Sequence, residues 1–276
     1  MSSGKITVRF WGTRGAVASS EPECTHFGGN TSCVEMLCDD HVLIFDAGTG
    51  IRRLGESLLK RGISKYHLFF THCHYDHISG FPFFKPLYMP TTDIDIWSGH
   101  LKPPKCTRSM IADFMVQPFF PIGPEVLQAK VAYMDFRPGD TIDSLKNVTI
   151  KTTLLNHDQG AVAYRVEFNG KAVCYVTDTT HVIGAPDQNI VNLIRGSDLV
   201  IYDATYTDDE FDTYKDYGHS TWQEGIRLCQ AAEVDTMALF HHCPGRSDEQ
   251  LKEIERQAQA LLPKAFAAYE DGEVVV

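Results

Sequence analysis

Thr71-His72-Cys73-His74-Tyr75-Asp76-His77 places three imidazoles and a carboxylate within six consecutive positions, directly behind the apolar run Tyr66-His67-Leu68-Phe69-Phe70. That run reads as a buried strand. Side chains two apart leave an extended chain on the same side, so His72 and His74 converge on one centre. Cys73 points the opposite way and reads as a packing residue, not a ligand. Ser79-Gly80 and Pro82 then mark a bend that swings Asp76 and His77 back toward the same place. Metal is the need that explains this density: neutral imidazole and carboxylate suit zinc first and manganese or iron next, and a second ion fits beside the first. A surface histidine cluster is the ordinary alternative, and the strand context weighs against it.

The HxHxDH string resembles the signature of the metallo-β-lactamase superfamily, and the family's other motifs follow in order. Asp46-Ala47-Gly48-Thr49-Gly50 succeeds the apolar strand His41 to Phe45 and is similar to the family's early Asp motif. The resemblance implies that Asp46 braces the ligand loop by hydrogen bonding. His157, in Leu154-Leu155-Asn156-His157-Asp158, resembles the third ligand motif, and Asp178, in Tyr175-Val176-Thr177-Asp178-Thr179, resembles the carboxylate that bridges two metals. Leu239-Phe240-His241-His242 ends a strand where the family's last histidine lies; His241 fits the pattern better, with His242 as its rival. The implied arrangement is one ion held by His72, His74 and His157, a second held by Asp76, His77 and His241, and Asp178 between them. Two divalent ions roughly 3.5–4 Å apart, Zn2+ before Mn2+ or Fe2+, share a hydroxide and clamp both oxygens of a displacement.

Two further strings bear on the branch of the family. Tyr202-Asp203-Ala204-Thr205-Tyr206 and Gly218-His219-Ser220-Thr221 resemble the acidic-Ala-Thr and Gly-His-Ser-Thr motifs of the phosphodiesterase branch, which holds transfer-RNA 3′-processing endonucleases and cyclic-nucleotide phosphodiesterases. There the histidine protonates the leaving oxygen. The residues make their own case. Ser220 with Gln223, or Thr221 with Glu224, forms a capping box, so His219 stands just outside the positive end of a helix, where a phosphate oxygen is favoured. Asp203 can take a hydrogen bond from the far ring nitrogen of His219 and fix it as a general acid, although it is shorter than the glutamate common in the transfer-RNA enzymes. The neighbourhood of His157 lacks the His-Thr-Pro-Gly-His-Thr string of thioester-hydrolysing relatives, which favours phosphoester over acyl chemistry. Phe10-Trp11-Gly12-Thr13-Arg14-Gly15 and Gly28-Gly29-Asn30-Thr31-Ser32-Cys33 are similar to paired strings in bacterial class II cyclic phosphodiesterase-like proteins. There Asn30 or Arg14 can reach a phosphate or ribose; a turn that needs glycine's backbone freedom explains the strings equally well.

With 276 residues and 43% hydrophobic content, one α/β domain over 1–276 is expected. Helices are predicted over Ile51–Arg61, Gln188–Arg195, Ser220–Ala232 and Ser247–Leu262, the last with Leu251, Ile254, Ala258 and Leu261 on one face and a capping box at Ser247-Asp248-Glu249-Gln250. Periodicity alone gives α/β; the resemblance implies a four-layer αββα sandwich of two mixed sheets flanked by helices. Eight of the 13 prolines lie between Phe81 and Pro124, so the segment 81–133 reads as a stiff, irregular, aromatic-rich excursion, suited to a lid or a dimer contact. No apolar stretch is long enough to span a membrane, the N-terminus leads into a strand instead of a signal-peptide core, and the eight cysteines lack a disulfide framework; a cytoplasmic protein is expected. A net charge of −11 opposes a long nucleic-acid partner, which is gripped through many Lys and Arg contacts. No glycine- and lysine-rich arm of the kind that grips transfer RNA is visible. The combined expectation is a dinuclear phosphodiesterase for a small, cyclic phosphodiester, with Asp76, His219 and Asp203 as catalytic groups. A transfer-RNA 3′-end endonuclease and a metal-retaining, non-catalytic nucleotide-binding protein are the alternatives.

Overall fold

Ile6, Val8 and Phe10 turn inward and their neighbours outward along β1 (Ile6–Gly12), the period of two that buries one face of a strand. The computed structural model describes residues 4–276. β1 shares a sheet with β2 (Cys33–Cys38), β3 (His41–Phe45), β4 (Lys65–Phe70), β5 (Asp93–Ser98) and β6 (Lys130–Asp135). A second sheet holds β7 (Thr141–Leu145), β8 (Val148–Leu155), β9 (Ala161–Phe168), β10 (Lys171–Val176), β11 (Leu199–Asp203), β12 (Met237–Phe240) and β13 (Phe266–Ala267), while β14 (Glu273–Val275) returns to pair antiparallel with β1. Each sheet has seven strands, ordered β14-β1-β2-β3-β4-β5-β6 and β13-β12-β11-β10-β9-β8-β7. Antiparallel pairs join β1 to β3 and β7 to β10, and parallel pairs carry on from β3 to β6 and from β10 to β13.

The helices are α1 (Ile51–Lys60), α2 (Tyr75–Ile78), α3 (Thr107–Phe114), α4 (Gln188–Ile194), α5 (Asp208–Tyr214), α6 (Trp222–Ala231) and α7 (Asp248–Leu261). Three apolar layers hold the parts together. Val8, Met36, Phe45, Tyr164, Tyr175 and Ile201 fill the space between the sheets. Ile51, Leu54 and Leu58 of α1 and Ile111 of α3 cover the outer face of the first sheet, and Ile190, Ile226 and Ala258 of α4, α6 and α7 cover that of the second. The result is helix, sheet, sheet, helix, the αββα order expected. Strands covered on both faces read as continuous apolar runs, as Leu-Val-Ile-Tyr of β11 does.

The four predicted helices form, with ends moved by a residue or two. Thr221, not Ser220, caps α6, its side chain accepting the backbone N–H of Glu224. Ser247 and Gln250 cap α7 reciprocally, but Leu261 is exposed and Leu262 is buried in its stead. The segment 81–133 is not an irregular excursion. It contributes β5, α3 and β6 to the first sheet and its cover, because the prolines fall in the connections (82–90, 103–104, 118–124) and leave the pairing runs free. Among the described residues no helix is long and apolar enough to cross a membrane.

Candidate metal centre

The C-terminal ends of parallel strands gather at one rim, the usual place for a site in an α/β sheet. Asp46 follows β3, Thr71 and His72 follow β4, Thr177 and Asp178 follow β10, Asp203 ends β11, and His241 follows β12. Asp46, Asp178 and His241 all hold a left-handed backbone, with φ of 61°, 60° and 60°. Side chains rarely take that conformation, and its recurrence at three strand ends turns each one sharply inward.

Two groups of donors result. In the first, the rings of His72 and His74 have centroids 4.5 Å apart, His157 stands 4.8 Å from His72, and His157 Nε2 lies 3.1 Å from His74 Nδ1. In the second, His77 Nε2 lies 3.3 Å from His241 Nε2 and 3.3 Å from Asp76 Oδ2, while His241 Nε2 lies 3.1 Å from the same Asp76 oxygen. Asp178 divides its carboxylate between them. Its Oδ1 is 3.8 Å from His72 Nε2 and 3.9 Å from His157 Nε2, and its Oδ2 is 3.2 Å from His77 Nε2 and 3.4 Å from His241 Nε2.

The outer ring nitrogens explain why the inner ones can act as ligands. His77 Nδ1 donates to Asp46 at 2.8 Å, His157 Nδ1 to the Gly218 carbonyl at 2.8 Å, and His241 Nδ1 to Thr205 Oγ1 at 3.0 Å. Thr71 Oγ1 donates to Asp46 and so accepts from His72 Nδ1 at 3.0 Å. Each outer N–H fixes a tautomer whose inner nitrogen carries a lone pair. These lone pairs face one another and two carboxylates. His72 Nε2 is buried without a hydrogen-bond partner, an orphan that a cation would satisfy. Burial, then the neighbouring His77, holds the His72 pKa well below the ordinary value, so that ring stays a neutral ligand. Burial opposes charge on His77, yet Asp178, Asp76 and Asp46 together drive its pKa well above the ordinary value: this half of the site stabilises positive charge. The donor set therefore fits two divalent cations.

Beside the second group stands His219. Its Nδ1 is 3.3 Å from Asp203 Oδ2 and 3.6 Å from Asp178 Oδ1. The short Asp203 side chain reaches because its carboxylate is aimed: it also accepts Thr179 N–H at 3.2 Å and Thr205 Oγ1–H at 2.8 Å. Burial works against protonation of His219, but Asp203, with help from Asp178 and Asp76, outweighs it and raises the pKa to about 9.

Several further groups shape the site, and to none of them did the sequence give a role of its own. Ala16 N–H donates to Asp76 Oδ2 at 2.7 Å, Tyr175 Oη donates to Asp46 at 3.0 Å, and Thr205 orients His241. Gly15 and Gly218 allow close approach: a Cβ on Gly15 would meet the His241 ring at 2.2 Å, and one on Gly218, where φ is +87°, the His157 ring at 2.6 Å. Both glycines lie in strings quoted from the sequence, Gly218 beside His219 and Gly15 at the end of the N-terminal turn, but neither string shows which ring each one admits.

Other residues sit away from these roles. Cys73 is exposed, not packed, because the chain has already left the sheet at Phe70, and it borders the same cavity as His72 and His74. His242 turns from the centre and bonds the Ala268 carbonyl at 2.8 Å, so of the two rivals only His241 joins the cluster. Arg14 is buried, with Nε bonded to the Gly28 carbonyl and Nη1 to those of Cys243 and Arg246, and Asn30 bonds Glu270; both act as struts for the N-terminal turn.

Residues 41–242 match the family model of the beta-lactamase superfamily domain, a span that runs from β3 to the His241-His242 pair. The chain belongs to the metallo-β-lactamase superfamily. Among curated relatives it is 24% identical to a ribonuclease Z of Haloarcula marismortui, over 98% of this chain and 94% of that one. Among solved structures, the metallo-β-lactamase fold protein YhfI from Bacillus subtilis superposes with a TM-score of 0.75 at 15% identity, covering 99% of each chain. A diphosphatase of the PhnP family superposes with a TM-score of 0.71 at 18% identity, covering 99% of this chain and 97% of that one.

Proposed function

We propose that this metal-dependent hydrolase is a phosphodiesterase acting on a small, cyclic phosphodiester such as a cyclic nucleotide or a phosphoribosyl cyclic phosphate. The observation that carries the reading is His219, held by Asp203 and 3.6 Å from the carboxylate shared by both donor groups. An acid beside a pair of cations is what departure of an alkoxide requires. In this reading His72, His74 and His157 would hold one ion, Asp76, His77 and His241 the other, with the Asp178 carboxylate available to both, and Zn2+ is the ion that suits three imidazoles best. Two such cations supply Lewis acidity, offsetting charge on the phosphoryl oxygens and bringing the pKa of a water toward neutrality. Asp76, anchored by the Ala16 N–H, stands ready to accept the proton of that attacking water. His219 gives its own proton to the leaving oxygen, while Asp203 keeps the ring in register and stabilises its charged form. Asp46 fixes the His77 tautomer. The net charge of −11 supports a compact substrate over a long polyanion.

The test is a panel of cyclic and linear phosphodiesters offered to metal-replete and chelator-stripped protein, with product read by chromatography. Hydrolysis of a cyclic ester that disappears on stripping and returns with zinc supports the reading; replete protein inert to the whole panel refutes it. Similarity to ribonuclease Z over nearly the whole chain favours a second reading, a transfer-RNA 3′-end endonuclease. Precursor transfer RNA cleaved in preference to cyclic nucleotides would select it. A single catalytic unit over 1–276, working in the cytoplasm and testable as a homodimer, completes the proposal.

A further inference from the structure

A cavity of about 790 Å³ opens beside His157, between the loop after β5, residues 137–138, and residues 154–160 at the end of β8 and the loop beyond it. It is within the size range of small-molecule sites, which runs to about 1,000 Å³. Leu101, Pro138 and Leu154 give it apolar walls, and the exposed Lys102 and Arg137 stand at its rim, basic groups on a chain of net charge −11. His100 lines this cavity and also the adjoining one that reaches His72 and His74. The histidine is unusual among residues outside the metal centre: it is 7% exposed, and neither Nδ1 nor Nε2 has a hydrogen-bond partner. Leaving two buried polar atoms unsatisfied is costly, and such atoms in a native fold call for a partner that arrives later. Both nitrogens are shielded although the residue borders the cavity; half a turn about its Cβ–Cγ bond exchanges carbon and nitrogen positions and offers each nitrogen a different neighbour. Burial, then His74, pushes the His100 pKa down to about 4, so the ring works as a neutral group with one donor and one acceptor.

We propose that this cavity is the specificity pocket of the hydrolase, that it takes the nucleobase of a nucleoside cyclic phosphate, and that His100 reads the base edge with its otherwise unpartnered imidazole. The inference rests on the phosphodiesterase reading and narrows it, because apolar walls and a neutral hydrogen-bonding reader suit a planar heterocycle and not a base-free sugar phosphate. Lys102 and Arg137 draw the anion toward the rim; His100 discriminates once it is inside.

The test compares wild type with His100→Phe and His100→Leu, each fully metallated, on two probes. One is the best-hydrolysed cyclic nucleotide of a purine and pyrimidine panel; the other is methyl 4-nitrophenyl phosphate, which offers no base to the pocket. The quantity read is the ratio of kcat/KM for the nucleotide to kcat/KM for the simple ester. The expected result is a fall in that ratio of about tenfold or more, carried mainly by KM, in both variants. Melting temperatures should be equal to or above that of wild type, since the substitutions remove two unsatisfied nitrogens. A smaller fall in the ratio overturns the proposal. A wild type that cleaves the simple ester but no cyclic nucleotide also overturns it, while leaving the phosphodiesterase reading intact. A wild type inert to both probes removes that reading too.

Discussion

Replacing His219 with alanine separates acid catalysis from metal binding. At pH 7 a group with a pKa near 9 is protonated in roughly 99 of 100 molecules, so the acid is almost fully loaded and its whole contribution is at stake. General acids of this kind contribute about 10²–10⁴ in rate, and that is the loss expected on an alkoxide leaving group such as a ribose oxygen. A nitrophenolate departs without a proton, so with a nitrophenyl ester the loss should shrink to about tenfold or less. His219 lies 3.6 Å from Asp178, so metal content must be measured in the same samples, and it should match wild type. The pH profile supplies a second readout. Under the proposed role the protonated form is the active one, and its pKa is raised, so wild-type activity should hold below about 9 and fall above it; the alanine variant should lack that alkaline limb. The assay is steady-state kinetics on the two leaving groups from neutral to alkaline pH. Equal losses on both esters, with metal retained, would refute the role given to His219.

Three other predictions follow from contacts around the centre. Asp46→Asn should weaken metal retention by about 10–100-fold, measured by competition with a chromophoric chelator, because it exchanges the carboxylate that holds His77 Nδ1 and Thr71 Oγ1 for an amide. A thiol reagent should label the exposed Cys73 in the folded protein, with peptide mapping as the readout, whereas the buried Cys33, Cys38, Cys174 and Cys229 should react only on unfolding. Asp208 links α5 to Arg227 and Thr221 of α6, and Glu210 links it to Arg246. Burial raises both carboxyl pKa values, but these partners outweigh it and leave both below the ordinary range. Depressed folded-state values mean stability that is present above the unfolded pKa of about 4 and lost as pH falls through the folded one. Hydrogen exchange should therefore show α5 losing protection below about pH 4, and Asp208→Asn should lessen that acid sensitivity, an effect kept small by the partial exposure of these pairs.

What could be seen in the sequence, and what could not, divides along a physical line. Ligand-type residues directly behind apolar runs were visible because a strand's end fixes where the next side chain goes: His72, Asp178, Asp203 and His241 all obey that rule, and they meet at one rim. Alternation joined His72 to His74, yet it could not say that Cys73 would be exposed instead of packed, since that depends on where the sheet stops. Proline density misled at 81–133, because composition averages over a segment while pairing acts on the short runs between the prolines, and β5 and β6 occupy those runs. The supports contributed by Ala16 and Tyr175 are contacts between distant parts of the chain, and nothing local announces them; Thr205 and Gly15 lie in quoted strings, but their contacts with His241 are just as remote in sequence.

The inward turns at Asp46, Asp178 and His241 carry a consequence for descent. Each leaves a residue with a side chain in a backbone state that glycine occupies freely, at a conformational cost of order 1 kcal/mol or more apiece. A lineage released from its chemistry would drift toward glycine or asparagine at these three corners and become sturdier for it. Aspartate, aspartate and histidine hold these corners here, and all three belong to the donor set or brace it.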